Sequence, residues 1–238
     1  MYKTGILFAF ACAFAAAQTP TIDQSLNAKQ PTSVAISPDG RYVAYTVQYT
    51  NWDENSFDEQ IWIAVPDTGN TYQLTSGKKS SHNPRWSPDS KRLAFTSDRD
   101  GKQQVYIISP AGGEAAQLTS EENGVGGFEW SPDGSTIAFT STGPEPKTKK
   151  DRKDKYGDFE IVNGDYQMNH LWSIKVPAEI PLDPKARPKP EQLTKGDAMS
   201  VNDFNWAPDS KRIAFTATRD PDLGSRDTSE IYIVDTDK

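Results

Sequence analysis

Short apolar stretches recur along the chain, and each one follows a turn of the type Ser-Pro-Asp-Gly. The turns occupy residues 37–40, 87–90, 131–134 and 207–210. In such a turn proline presets φ at the second position, Asp tolerates the third, and Gly or Ser closes the reversal between two strands. The strands that follow read Tyr-Val-Ala-Tyr-Thr, Leu-Ala-Phe-Thr, Ile-Ala-Phe-Thr and Ile-Ala-Phe-Thr. The chain is therefore built from four copies of one unit, and Ala207 is the departure from the serine of the turn.

Two further elements recur downstream of the turns. The first is rich in β-branched and aromatic residues, which favour strands, and covers residues 61–63, 105–108, 171–174 and 231–234. The second is the tripeptide Gln-Leu-Thr, found at residues 73–75, 117–119 and 192–194. It is missing from the fourth copy, so we expect that copy to be incomplete.

The unit at residues 83–120 is the most regular. It predicts four strands, at residues 84–87, 91–97, 103–109 and 114–119. Hairpin turns separate them, with glycine where a positive φ is needed. Four antiparallel strands in each repeat, at a period in the forties, are typical of a β-propeller blade. The predicted fold class is all-β, a partial propeller of about four four-stranded blades with the last blade incomplete.

The turn prolines are 50, 44 and 76 residues apart, so the third unit carries extra chain, which we place at residues 142–168 and 177–190. In the first unit, residues 49–59 are expected to form a loop. The predicted organisation is a signal peptide, a lead-in segment with weak helical character and no strand pattern, and a partial propeller, at residues 1–17, 18–32 and 33–238. The blades are predicted at about residues 33–76, 83–120, 127–195 and 203–238. We expect the chain to be the front part of a longer protein.

The first residues have the pattern of a secretory signal. Lys3 precedes an apolar run at residues 5–14, and three alanines at residues 15–17 form a cleavage site. The run is too short to span a bilayer. Cys12 is the only cysteine, so the mature protein would rely on no disulfide, and a lipid anchor there is disfavoured because the apolar run continues to Phe14. We expect export to a periplasm or to the medium, with no membrane span after cleavage.

The net charge is −7, and removal of Lys3 with the signal leaves −8. An acidic protein is a poor partner for nucleic acid, and we expect none. One basic stretch, residues 147–155, has six Lys or Arg against two Asp. We expect it to be a solvated loop projecting from the third blade rather than a nucleic-acid or membrane patch.

The repeats resemble the Trp-Ser-Pro-Asp-Gly repeats of TolB-like periplasmic proteins and of the N-terminal propellers in the prolyl oligopeptidase family of serine peptidases. Three segments resemble the acylaminoacyl-peptidase and dipeptidyl-peptidase-V-like branch. They are the opening at residues 34–40, the inserted residues 151–158 with the sequence Asp-Arg-Lys-Asp-Lys-Tyr-Gly-Asp, and its exit through Asn-His-Leu-Trp at residues 169–172.

The resemblance implies a propeller over a C-terminal α/β-hydrolase domain, with a Ser-Asp-His triad between them and a peptide as substrate. No Gly-x-Ser-x-Gly elbow occurs in the 238 residues, so no catalytic residue is assigned and we expect no hydrolysis by this part alone. Its implied role is gating and substrate positioning. The alternatives are a non-catalytic TolB-like module that mediates protein–protein interaction and a small closed propeller that binds sugars or peptides.

The candidate chemistry is sparse. His82 and His170 have no Ser and acid in a recognisable arrangement and are predicted to be structural. No cofactor or metal site is predicted, and residues 98–101 are better explained as a hairpin turn than as a calcium loop. A tryptophan recurs at one blade position and is predicted to pack between blades, at Trp86, Trp130 and Trp206.

The insertion of the third blade provides the substrate-contact candidates. They combine acids and aromatics that could bind the free amino end of a peptide, and are Tyr156, Asp158, Glu160 and Tyr166. A solvated loop, or contact with another domain, is the competing interpretation.

Overall fold

A computed structural model describes residues 19–145, 147–157 and 166–236, and these residues form four antiparallel sheets in chain order. Three sheets have four strands and the last has three. Each sheet is a simple meander in which neighbouring strands along the chain are hydrogen-bonded. The predicted all-β partial propeller with an incomplete last blade is confirmed.

Blade 1 consists of β1 (Gln30–Ile36), β2 (Val43–Asn51), β3 (Ser56–Val65) and β4 (Asn70–Gln73). The loop predicted at residues 49–59 is wrong, because β2 and β3 stay paired as far as Asn51 and Ser56. The β-branched and aromatic residues between positions 47 and 57 favour strand and outweigh the Asn and Asp around them.

A short helix, α1 (Ile22–Leu26), precedes the first strand. Its first turn is closed by a capping box, in which the Thr21 hydroxyl accepts from the Gln24 amide and the Gln24 side chain accepts from the Thr21 amide. The strand begins at Gln30, inside the predicted lead-in, and contains Pro31. Since β1 is an edge strand, the missing proline N–H is tolerated there.

Blade 2 consists of β5 (Ser81–Trp86), β6 (Leu93–Ser97), β7 (Gln104–Ile108) and β8 (Ala116–Gln117). Every residue of β6 and β7 is buried. Both faces of these central strands are covered because blade 2 lies between blades 1 and 3.

Blade 3 consists of β9 (Phe128–Trp130), β10 (Thr136–Thr142), β11 (Asn169–Lys175) and β12 (Glu191–Gln192). Its first insertion contains a helix, α2 (Lys147–Tyr156), where the sequence predicted a loop. The second insertion contains a 3₁₀ turn at Pro184–Ala186. Lys and Arg are good helix formers, and Pro144 and Pro146 precede the basic run in the sequence, so local propensity accounts for the helix.

Blade 4 consists of β13 (Ser200–Trp206), β14 (Arg212–Thr218) and β15 (Glu230–Asp235). The link between β14 and β15 contains a 3₁₀ segment, Leu223–Thr228. Each later blade repeats the strand pairing of blade 1, in which the strand after the turn lies between the first and third strands.

The hydrophobic core consists of three clusters, one at each contact between consecutive blades. At the first contact Ala44, Ile61 and Ile63 of blade 1 pack against Phe95 and Tyr106 of blade 2. The second cluster brings Val105 and Ile107 of blade 2 to Phe139 of blade 3, and the third brings Ala138 and Leu171 of blade 3 to Phe215 of blade 4. We call the side of a blade that contacts the next blade its forward face and the opposite side its backward face.

The recurring tryptophans join the blades, as predicted. Each indole Nε1 donates to a main-chain carbonyl in the first strand of the preceding blade. The distances are 2.9 Å from Trp86 to Ala35, 3.2 Å from Trp130 to Arg85, and 3.4 Å from Trp206 to Glu129. A side chain that is both large and able to donate suits this position, because it buries area and satisfies a carbonyl at once.

The contacts within each turn account for the residue types found there. In the first three the serine hydroxyl donates to the aspartate two residues on, at 2.7 Å in Ser37–Asp39, and accepts from the main-chain amide five residues on. Gly40 and Ser90 occupy the last turn position with φ of 74° and 62°. The Ser90 hydroxyl accepts from the Asp39 amide at 3.0 Å, so this turn also links two blades.

Candidate functional site

The connections between the second and third strands of every blade lie at one end of the molecule, because strands alternate in direction along each meander. We call it the insertion end. Blade 1 has a tight hairpin there, blade 2 a turn, blade 3 the insertion with α2, and blade 4 the link with the 3₁₀ segment. Loops on a rigid sheet scaffold are where binding groups are usually displayed.

Helix α2 has no buried residue. Lys149 Nζ lies 3.5 Å from a carboxylate oxygen of Glu145, and the Lys155 ammonium lies 5.0 Å from the centroid of the Tyr156 ring. Such exposed pairs contribute little to stability. The predicted solvation of the basic stretch is therefore found, although in a helix rather than a loop.

The four substrate-contact candidates have different outcomes. Tyr156 ends α2 and is 66% exposed. Asp158 and Glu160 lie outside the described residues. Tyr166 is half-buried and its hydroxyl donates to Asp222 Oδ2 at 3.1 Å, which connects the insertion of blade 3 to blade 4. Partial loss of hydration, followed by the hydrogen bond to Asp222, raises the pKa of Tyr166, so the phenol stays protonated and keeps its donor.

Asp222 is the residue that the sequence analysis missed. Its amide donates to Asp220 Oδ1 at 3.1 Å, and its own Oδ1 accepts from the Gly224 amide at 3.1 Å. These bonds hold the link between β14 and β15 in place. The sequence does indicate this region, because the link between β14 and β15 is longer than the corresponding link at residues 98–103 of blade 2.

Two clefts flank this acidic link. One, of about 510 Å³, is lined by Arg219, Asp220, Glu230 and Tyr232 among others. The other, of about 490 Å³, is lined by Asn169, Asn202, Thr216, Asp222 and neighbours. Both are large enough for a short peptide segment. Tyr166, Asp220 and Asp222 together form the candidate site.

His170 is explained by the repeat. His170 comes directly before the first apolar residue of the third strand in blade 3. Gln60 and Gln104 hold the same position in blades 1 and 2. Each glutamine accepts from the threonine of Gln-Leu-Thr, at 2.8 and 2.7 Å, and His170 Nδ1 lies 3.5 Å from the Thr194 hydroxyl. Burial lowers the pKa of His170, which favours the neutral ring there.

The ring hydrogen bond of His82 goes to Gln103 Oε1, at 3.3 Å. The described ring bonds of both histidines thus lead to neutral side chains and to neither a serine nor a carboxylate. Within the described ranges no group of His, Cys, Asp and Glu residues could hold a metal ion. In the same part of the chain, no helix has the length and apolar character needed to cross a membrane.

Comparison with known proteins agrees with the architecture. Residues 56–155 match the family model of the Tricorn protease N-terminal beta propeller domain. A Pyrococcus horikoshii acylaminoacyl peptidase structure superposes with a TM-score of 0.62 at 17% identity, over 90% of this chain and 32% of that one. At this identity the superposition shows the fold alone.

Two relatives in sequence carry peptidase names. The chain is 43% identical over 70 residues to the uncharacterized peptidase YuxL of Bacillus subtilis, covering 29% of this chain and 11% of that protein. It is 29% identical over 83 residues to dipeptidyl-peptidase 5 of Porphyromonas gingivalis, covering 35% of this chain and 12% of that protein. The predicted resemblance to peptidase propellers is confirmed. The described blades form a partial β-propeller of the kind found in peptidase-family proteins, and the sequence matches cover about a tenth of those relatives' length.

Proposed function

We propose that this chain is the N-terminal propeller portion of an exported serine peptidase of the prolyl oligopeptidase family. In the full-length protein a C-terminal α/β-hydrolase domain hydrolyses the peptide, and the propeller admits and positions it. The observation that carries the proposal is the blade architecture, together with local sequence matches to two longer proteins named as peptidases. The nucleophile is assigned to the domain beyond this chain, since the 238 residues contain no nucleophile elbow.

The insertion end is the part of the propeller assigned to substrate positioning. Asp220 lies beside the cleft of about 510 Å³ and Asp222 beside the cleft of about 490 Å³. The Tyr166 hydroxyl donates a hydrogen bond to Asp222. A carboxylate held by main-chain amides is a suitable acceptor for the ammonium group at a peptide's free end. In this proposal Asp222 receives that group, and Tyr166 orients the carboxylate.

The first test is the reading frame after the codon for Lys238. We expect it to continue through further turns of the Ser-Pro-Asp-Gly type into an α/β-hydrolase domain with a Gly-x-Ser-x-Gly elbow. A stop codon at that point would contradict the proposal and favour the non-catalytic TolB-like module. The 238-residue chain itself should cleave neither dipeptide nor acyl-peptide chromogenic substrates.

The positioning role is tested in the full-length protein with Asp222→Asn. Loss of a charge-assisted hydrogen bond to the substrate ammonium costs about 1.5–3 kcal/mol, so KM for a dipeptide substrate should rise about 10-fold or more with little change in kcat. Asp197→Asn, at an exposed carboxylate between β12 and β13, is the matched control and should leave KM unchanged. Equal KM values for the two variants would remove Asp222 from the proposal.

Export is part of the same proposal and has a separate test. The predicted signal, residues 1–17, lies outside the described residues. The full chain is expected in the periplasm or the medium, and deletion of these residues should leave the protein in the cytoplasm. Cell fractionation after expression of both forms measures this. Continued export of the deleted form would contradict this assignment.

A further inference from the structure

A third cleft lies between blades 1 and 2. Its volume is about 380 Å³, within the size range of pockets that bind small molecules and short peptides. Blade 1 contributes residues 74–76, just after β4. Blade 2 contributes residues 113–115, just before β8, together with Ile108 and Arg99. Both blades have all four strands in the structure, and the lining shares no residue with the candidate site around Asp222.

Arg99 brings a positive charge to this cleft. The central carbon of its guanidinium lies 4.8 Å from the centroid of the Tyr106 ring and 5.3 Å from the centroid of the Phe95 ring. A guanidinium is attracted to aromatic faces at such distances. Its Nε donates to Ser97 Oγ at 3.2 Å and its Nη2 to Ser81 Oγ at 3.0 Å, and both serines are fully buried. Neutral groups of the sheet therefore hold the cation in one place.

The charge of Arg99 has no acidic partner among the described residues. No carboxylate there forms an ion pair with it. Asp100, the next residue along the chain, instead accepts from the Tyr106 hydroxyl at 2.5 Å. In the same part of the chain, Arg99 Nη1 has no hydrogen-bond partner. A half-buried guanidinium loses part of its hydration, and a carboxylate compensates best for that loss, so an anionic ligand suits this cleft.

The rest of the lining fits a peptide better than a bare anion. Leu74, Ile108 and Ala115 provide apolar surface. The amides of Gly113 and Glu114 donate to no group within the described ranges, because these two residues lie outside the strand ladder. Such amides are free to donate to the carbonyl groups of an extended chain. Main-chain hydrogen bonds beside apolar contacts are a common way to recognise a peptide.

We propose that this cleft binds the C-terminal end of a peptide whose last residue is apolar. The terminal carboxylate accepts from the Arg99 guanidinium, and the last side chain packs on Leu74 and Ile108. A carbonyl group of the peptide accepts from the amides of Gly113 and Glu114. A fixed guanidinium distinguishes a chain end from an internal peptide bond, because only the end carries a negative charge. The site is additional to the one around Asp222 and does not depend on the proposed function.

The test is a nuclear magnetic resonance titration of the 238-residue chain with N-acetyl-Ala-Leu, compared with the C-terminal amide of the same peptide. The free acid should shift the Nε–H signal of Arg99 and the amide signal of Gly113. It should also bind at least about tenfold more tightly than the amide, because a charge-assisted hydrogen bond is lost in the amide. Equal affinities, or shifts confined to the residues around Asp222, would overturn the proposal.

Isocaproate distinguishes a peptide end from a free carboxylic acid. It has the carboxylate and the branched side chain of leucine but no peptide bond. It should bind about fivefold more weakly than N-acetyl-Ala-Leu, because the hydrogen bonds to the main chain are lost. Equal affinities of the two compounds would overturn the assignment to a peptide.

Two substitutions in the lining should act in opposite directions. Arg99→Gln removes the positive charge and should lower the affinity for N-acetyl-Ala-Leu at least about tenfold. Glu114→Gln removes an exposed carboxylate that repels the ligand and should raise the affinity about two- to fivefold. Lys102→Gln is the control, at an exposed lysine of the same link that does not line the cleft, and should leave the affinity unchanged.

The Glu114 variant keeps the test decisive if Arg99→Gln does not fold, which circular dichroism reports. Arg99 bonds two buried serines, whereas Glu114 is exposed and its removal leaves the fold intact. A higher affinity in Glu114→Gln supports the proposal. An unchanged or lower affinity in that variant, or a loss in Lys102→Gln as large as the loss in Arg99→Gln, would overturn it.

Discussion

Blade 2 and blade 4 carry the same repeat, yet their third strands, β7 and β15, have different environments. All five residues of β7 are buried, whereas β15 alternates between exposed and half-buried. The residue types are nearly the same, Val-Tyr-Ile-Ile in one and Ile-Tyr-Ile-Val in the other. The difference comes from the neighbours: blade 2 has a blade on each side, and blade 4 has a described neighbour on its backward side alone. A repeat therefore encodes two faces, and stability is gained when both are covered.

The largest effect on stability is expected from alanine substitutions at matched forward-face positions. Ile107→Ala in blade 2, at a residue 5% exposed, should lower the free energy of unfolding by about 2–5 kcal/mol because it leaves a cavity between two blades. Ile233→Ala in blade 4, at a residue 68% exposed, should change it by less than about 0.5 kcal/mol.

Urea denaturation of both variants checks this prediction. Similar losses for the two variants would mean that the forward face of blade 4 is covered.

A smaller effect is expected at the buried threonine that closes each complete blade. The Thr119 hydroxyl accepts from the Val105 amide at 2.9 Å and donates to Gln104 at 2.7 Å, whereas blade 4 has no described fourth strand to provide such a group to Ile231. Thr119→Val leaves a buried amide without its acceptor and should cost about 1–3 kcal/mol.

Thr119→Ser keeps the hydroxyl and is the control in the same denaturation experiment. If the valine and serine variants are equally stable, the hydroxyl is not what closes the blade.

A smaller effect on stability is expected at the turn that links blades 1 and 2. Ser90→Ala removes the hydroxyl that accepts from the Asp39 amide at 3.0 Å and should lower Tm by about 2–4 °C. Ser120→Ala, at an exposed serine just after the fourth strand, should leave Tm unchanged. Calorimetry on both variants gives the answer, and an unchanged Tm for Ser90→Ala would show that packing alone joins the two turns.

The smallest effect concerns the acid response of the turns. The Ser37 hydroxyl, and then the Arg41 amide, lower the pKa of Asp39 from 3.8 to about 2. Because the folded pKa is depressed, the carboxylate stabilises the fold above the unfolded pKa, and this contribution is lost as pH falls from about 4 to about 2.

Ser37→Ala should raise the pKa of Asp39 toward its ordinary value. Asp209 already lacks the serine, since Ala207 precedes it, and its pKa is lowered mainly by the Lys211 amide. Ala207→Ser should therefore lower the pKa of Asp209 further. Carboxyl carbon NMR titrations measure both shifts, and an unchanged pKa in either variant would exclude the hydroxyl as the cause.

The sequence was sufficient for the blade architecture because each blade's signals are local. A turn needs its Pro, Asp and Gly or Ser within four residues, and a strand needs its own alternation. A prediction from local residue types was wrong at residues 49–59. Asn and Asp there suggested a loop, but cross-strand pairing extends β2 and β3 into this segment. Such a prediction was also wrong in the basic insertion, where charge suggested a loop and helix propensity decides the outcome.

The candidate site was predicted less well. Tyr166 was singled out from the sequence, but its partner Asp222 is 56 residues away and the two belong to different blades. Only the packing of blade 4 against blade 3 brings them together. His170 shows the converse, because its position in the repeat explains it as a counterpart of Gln60 and Gln104 once the strand register is known.

The repeating unit, its turns and strands, and the likeness to peptidase propellers follow from the amino-acid sequence alone, since these depend on residues that are close along the chain. The packing of the blades sets which of the repeated apolar positions are covered, which carbonyl each indole N–H bonds, and which carboxylates lie beside the insertion of blade 3. These depend on contacts between units dozens of residues apart. Val105 and Ile231 hold the same position in their repeats and are both β-branched and apolar, yet one is buried and the other exposed, because among the described residues a following blade packs against the first and not against the second.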